Sequence, residues 1–119
     1  MEQEIFEQAA VLENLFKTHV NDNNYILFDI PTDISKIVIV ASGSSYHCAR
    51  YAADLFGNVA GMEARAIYSS EFLLKSAVPH DNDILYVFIT QSGETSDTNS
   101  ALRKAKEFGM RTLCITNKK

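Results

Sequence analysis

Two short clusters of hydroxyl and glycine residues are the groups best placed to do chemistry in this chain. The first is Ser42-Gly43-Ser44-Ser45, directly after the apolar run Lys36–Ala41. The second is Thr90-Gln91-Ser92-Gly93-Glu94-Thr95, directly after Ile84–Ile89. Each reads as a buried strand entering a helix through a turn rich in small donors. Backbone N–H groups at such a helix N-terminus, joined by hydroxyls, can hold an anion. Two such turns point to one shared site, and a phosphate group suits it. The competing reading is that Ser, Thr and Asp here are ordinary helix caps.

The elements that must position these turns follow from periodicity. Ile5, Ala9, Leu12 and Phe16, with Leu15 beside them, recur at helical spacing over Glu4–Val20, and Asn21-Asp22-Asn23-Asn24 breaks the pattern. Pro31-Thr32-Asp33 marks a turn before the strand Lys36–Ala41, whose β-branched run suits burial on both faces. Ser45–Ala60 reads as a helix with Tyr51, Leu55 and Val59 on one face and Ala52 and Phe56 beside them. Gly61 is placed to end it. Glu63–Tyr68 alternates weakly as a second strand. Ser69-Ser70-Glu71 opens a helix through Ala77, and Pro79 stops it. Ile84–Thr90 is the third strand, Thr95–Phe108 the next helix, ended by Gly109, and Arg111–Thr116 the fourth strand.

Strand–helix alternation implies right-handed crossovers and an α/β, three-layer, doubly wound parallel sheet. In a flavodoxin-like sheet the order is 2-1-3-4-5, so strands 1 and 3 are neighbours and their helices leave to opposite faces. That brings the two hydroxyl-rich turns side by side at the carboxyl ends of the strands, each at a helix end carrying roughly half a positive charge. The chain stops after strand 4, so the expectation is order 2-1-3-4 with a fifth strand missing by truncation. Other phosphate motifs are absent. There is no G-x-x-x-x-G-K-[ST], and no G-x-G-x-x-G after a strand.

Composition narrows the partners. The chain has 119 residues and a formal net charge of -4, which argues against nucleic acid as a partner. No apolar run approaches the roughly 18 residues of a membrane span. The acidic start Met1-Glu2-Gln3-Glu4 is unlike a secretory signal. Cys48 and Cys114 fit no metal spacing and are expected as buried free thiols, which suits a cytoplasmic location. No metal and no cofactor is implied.

The two turns resemble the phosphosugar loops of the sugar isomerase (SIS) domain family. Ala41-Ser42-Gly43-Ser44-Ser45-Tyr46 is similar to the first loop, and Gln91-Ser92-Gly93-Glu94-Thr95 with Asp97-Thr98 to the second. Within the family, the chain also resembles the isomerase region of the glutamine–fructose-6-phosphate aminotransferases. Met1-Glu2-Gln3-Glu4-Ile5-Phe6-Glu7-Gln8, Ser70-Glu71-Phe72 and Lys75-Ser76-Ala77-Val78 carry that resemblance. Ala9 stands where those enzymes commonly have Pro, Ser42 where they often have Cys, and Ser44 at a Thr-or-Ser position. The resemblance implies residues 1–25 as a leading helix and 26–119 as a partial SIS domain. It implies phosphate binding by Ser45, Thr90, Gln91, Ser92 and Thr95. Ser42, Gly43, Ser44 and Gly93 would line the pocket, the first three largely through backbone. The ligand would be fructose 6-phosphate or glucosamine 6-phosphate, in amino-sugar synthesis. Stand-alone phosphosugar isomerases, deglycases and non-catalytic phosphosugar sensors stay open. A metal-dependent receiver domain would need acidic residues where Ala41-Ser42-Gly43 stands.

Isomerising a keto sugar needs a general base and a group to stabilise the enediol oxygen. Glu94 is the candidate base in the loops, although a first-turn carboxylate also favours the helix dipole. Glu71 reads the same way. His47 reads as solvent-facing or packed, His19 and His80 as surface residues, Tyr46 as packed, and Lys75, Lys104 and Lys106 as solvated. The resemblance implies that the catalytic Glu, Lys and His lie in a second SIS half and C-terminal tail, and that a glutaminase domain precedes the isomerase region. Cys48, inside a predicted helix, is not that domain's N-terminal nucleophile. An unfilled sheet edge would favour a homodimer or larger assembly.

Overall fold

The computed structural model describes residues 1–23, 31–79, 81–92 and 96–117. They fall into two compact units, Met1–Thr32 and Asp33–Lys119. The first holds one helix, α1 (Glu2–His19). It is supported by its own backbone and by local pairs, among them Glu13 with Lys17 at 2.7 Å. Its apolar stripe of Ile5, Leu12, Leu15 and Phe16 is exposed.

The second unit alternates β1 (Lys36–Ala41), α2 (Ser44–Ala60), β2 (Glu63–Tyr68), α3 (Ser69–Leu74), β3 (Ile84–Thr90), α4 (Ser96–Glu107) and β4 (Arg111–Thr116). The sheet is ordered β2-β1-β3-β4 and every pairing is parallel. The central strands explain their sequences. Ile37 to Ala41 of β1 and Ile84 to Phe88 of β3 are all buried, because both faces are covered.

The pleat divides the core into two layers. Val38, Val40, Ile84, Tyr86 and Phe88 pack with Ile67, Phe72, Ala101, Ala105 and Met110, on the face that carries α3 and α4. Ile37, Ile39, Ala41, Leu85 and Val87 pack with Ala49 and Ala53 of α2 on the other. The helices following β1 and β3 therefore lie on opposite faces, as the doubly wound reading expects.

Two expectations are corrected. Cys48 and Cys114 are exposed free thiols. Cys48 lies off the Ala49–Ala53 stripe that α2 buries, and β4 is an edge strand exposed from Leu113 onward. Tyr51, Leu55 and Val59 share one face of α2 as read, and that face is exposed; Ala49 and Ala53 are the α2 residues buried on the sheet, with Tyr46 packed beside them. Finally, α3 stops at Leu74, short of Ala77. Lys75 turns extended (φ -71, ψ 123), and the chain then carries Val78 onto the core. The other two helices end at left-handed glycines, Gly61 (φ 61) and Gly109 (φ 70). Met62 N–H donates to Phe56 O and Met110 N–H to Ala105 O, both at 3.0 Å, closing the final turns.

Candidate functional site

β1 and β3 are hydrogen-bonded neighbours, with Ala41 opposite Ile89. Ser42 and Thr90 are the next residues along the two strands, so the hydroxyl-rich turns start side by side.

In the first turn Gly43 takes φ 58 and ψ -137, a conformation open to glycine and strained for other residues. This bends the chain from β1 straight into α2. Gly43 is the N-cap of α2, no side chain among the described residues caps that helix, and its first turn holds no acidic residue. The positive end of the helix dipole is thus left to whatever occupies the turn. For this loop the capping explanation of its serines fails. Ser44 is exposed and Ser45 half-buried in the first turn, while Ser42 is half-buried just before it.

In the second turn Thr90 is buried at 4% exposure and pairs in register with Thr116 of β4. Gln91 and Ser92 are exposed, and the Gln91 carbonyl accepts the Asn117 N–H at 3.2 Å. Gly93, Glu94 and Thr95 lie outside the described residues, as does His80.

The surroundings sort the remaining candidates. Tyr46 packs as expected, stacked on Tyr68 at 3.6 Å between ring centroids. His47 and Glu71 are exposed, and His19 is half-buried. Lys104 departs from its expected solvated role. Its ammonium is part-buried and donates to the carbonyls of Phe72, Leu73 and Lys75 at the end of α3. Among the described residues no group of three or more His, Cys, Asp or Glu could hold a metal. No described helix is long and apolar enough to cross a membrane.

Two hydroxyls lie beneath the first loop, those of Ser69 and Thr98; in the sequence Ser69 reads only as a helix opener and Thr98 only as a continuation of the second loop, and neither is placed in the site. They lie 2.8 Å apart, and Thr98 Oγ1 is 3.4 Å from Ser42 Oγ. A signal for Thr98 was present, since Thr98, Ala101 and Ala105 share the spacing of one buried helix face.

Among the described residues, the two groups with displaced titration stand apart from these turns. Asp33 is held below the ordinary carboxylate range, first by its hydrogen bond from Arg111 at 2.9 Å. Burial in the core raises the Tyr86 phenol above its ordinary value.

The sequence profile of the SIS domain matches residues 32–119. The chain belongs to the SIS domain family. This SIS domain is 35% identical over 121 residues to the glutamine–fructose-6-phosphate aminotransferase (isomerizing) of Campylobacter jejuni, covering 98% of the chain and 20% of that protein. It is 37% identical over 125 residues to the enzyme of the same name from Haemophilus influenzae, with the same two coverages. Among solved structures it superposes on the C-terminal domain of glucosamine-fructose-6-phosphate aminotransferase from Francisella tularensis with a TM-score of 0.85 and 31% identity. That match covers all of this chain and 35% of the other. The chain thus spans about a fifth of the length of the curated relatives it matches.

Proposed function

We propose that this SIS domain is the phosphosugar-binding half of the isomerase region of a glutamine–fructose-6-phosphate aminotransferase. It grips fructose 6-phosphate or glucosamine 6-phosphate by the phosphate, in the cytoplasm, for amino-sugar synthesis. Residues 1–25 lead into the region and residues 26–119 form its SIS portion. The observation that carries the reading is the adjacency of the two turns at the carboxyl ends of β1 and β3, with one helix starting on each face. This is the switch point at which open α/β sheets bind ligands. The start of α2 adds backbone N–H groups that no described side chain caps, although that of Tyr46 already donates to the Gly43 carbonyl at 3.1 Å.

In this reading Ser45, Thr90, Gln91, Ser92 and Thr95 hold the phosphate, and Ser42, Gly43, Ser44 and Gly93 line the pocket. Holding the phosphate fixes the sugar so that groups elsewhere can move its proton. Orientation of this kind accounts for much of an enzyme's rate. Glu94 is the one carboxylate within the turns, and the other proton-moving groups come from sequence outside this chain.

Isothermal calorimetry with fructose 6-phosphate, glucosamine 6-phosphate and unphosphorylated fructose tests the proposal. Both phosphosugars are expected to bind and fructose is not. Ser92→Ala should weaken binding by about 1.5–3 kcal/mol, as for one lost charge-assisted hydrogen bond. Equal binding of fructose, or full affinity in both Ser92→Ala and Ser45→Ala, would remove the assignment.

A further inference from the structure

Three hydroxyls form a row beneath the first turn, drawn from three elements. Ser42 follows β1, Ser69 opens α3 after β2, and Thr98 lies in the first turn of α4. Ser69 and Thr98 are buried at 0% and 2% exposure, and Ser42 is half-buried at the open end. The Ser69–Thr98 separation is 2.8 Å and the Thr98–Ser42 separation 3.4 Å. The first is an ordinary hydroxyl hydrogen bond. The second is long, so it is the link with room to shorten.

Each hydroxyl carries one proton and accepts up to two bonds. The row therefore has two directions. When Ser69 donates to Thr98 and Thr98 donates to Ser42, the Ser42 proton is left to point away from the core. In the opposite direction Ser42 uses its proton on Thr98. An anion at the carboxyl end of β1 favours the first direction, and each bond in the row then polarises the next.

We propose that Thr98 is a positioning residue: backed by Ser69, it orients the Ser42 hydroxyl as a donor toward the phosphate. Ser42 then contributes its side chain as well as its backbone. The ligand in this inference rests on the phosphosugar reading above, whereas the ordering of the first turn by Thr98 does not.

The test compares Thr98→Val, which keeps the shape and removes the hydroxyl, with Thr98→Ser, which keeps the hydroxyl. Calorimetry with fructose 6-phosphate, urea unfolding and amide hydrogen exchange of the ligand-free protein are read together. Thr98→Val should weaken binding about tenfold, as for one hydrogen bond to a charged group. It should also speed exchange at the amides of Ser44, Ser45 and Tyr46, and Thr98→Ser should restore both. Adding Thr98→Val to Ser42→Ala should cost no further affinity, because the second change acts through the first. If Thr98→Val unfolds the domain, Ser69→Ala serves in its place, with the same direction of change in exchange. Thr98→Val with unchanged affinity and unchanged exchange overturns the proposal, and so does simple additivity of the two changes. A wild-type chain that takes up no fructose 6-phosphate overturns the phosphosugar reading and the donor role with it. Exchange in the first turn then decides separately whether Thr98 orders it.

Discussion

The ammonium of Lys104 donates to the Phe72 carbonyl at 3.0 Å, so a residue of α4 closes the C-terminal end of α3. Leu73 and Lys75 offer their carbonyls to the same nitrogen, which also stands 5.4 Å from the centre of the Phe72 ring. The last carbonyls of a helix lack partners within it, and a cation beside them also complements the dipole. Six residues make too short a helix to persist without such help. Replacing Lys104 with Met keeps the stem and removes the donor. Denaturant unfolding should then show a loss of about 1–2 kcal/mol, in line with hydrogen bonds to a charged group at a partly exposed site. An unchanged midpoint would mean that the three carbonyls are equally well served by water.

Gly43 invites a test with an internal control of opposite sign. A Cβ built there meets nothing within 4 Å, so any cost of Gly43→Ala is conformational. With φ at 58 and ψ at -137, that cost should be about 1–3 kcal/mol. Gly57 sits inside α2, where a Cβ comes no nearer than 4.0 Å to Met62 O. Gly57→Ala should therefore stabilise by about 0.5–1 kcal/mol through helix propensity. Thermal unfolding of both variants checks the pair. A harmless Gly43→Ala would show that the turn relaxes into an ordinary conformation.

Tyr86 sets an alkaline limit. Its hydroxyl donates to the Pro79 carbonyl, and burial raises its titration above the ordinary value of 10.0. The folded protein then holds the phenol proton at pH values where the unfolded chain has released it. This contribution to stability is whole below about pH 10 and is lost as pH rises from there through the folded value. Urea midpoints measured from pH 8 upward should fall beyond about pH 10. They should fall less in Tyr86→Phe, whose midpoint at pH 8 is lower because the Pro79 carbonyl loses its donor. Parallel profiles for the two proteins would count against the assignment.

β4 forms one edge of the sheet, and Leu113 and Ile115 are 38% and 52% exposed along it. An exposed apolar sheet edge is a template for another strand. Light scattering at rising concentration should report a dimer or larger species, and Ile115→Lys should shift it toward monomer. A monomer at every concentration would contradict this.

The sheet was legible in the sequence because each central strand is a continuous apolar run bounded by turn residues. The bounds of β1, β2, β3 and β4 match their predicted ranges. The switch point was legible for the same reason, since strand order alone makes neighbours of the turns after β1 and β3. Side-chain partners were less visible. Lys104 looks like one more surface cation until α3 is packed against α4, and its role depends on residues some thirty positions away. Ser69 and Thr98 are polar residues on faces whose burial only the tertiary packing decides. Cys48 misled because an apolar neighbourhood in sequence covers every side of a helix, whereas the sheet covers one.

The alanine pairs of the crossover helices carry one further consequence. α2 meets the sheet through Ala49 and Ala53, and α4 through Ala101 and Ala105. Methyl groups have no rotamers to change, so at these four contacts nothing flexible separates helix from strand, while Tyr46 and Leu102 pack beside them. At these contacts the height of each helix over the sheet is set by backbone and methyl alone. Enlarging any of these four methyls would push its helix away from the sheet without changing a residue of the two turns.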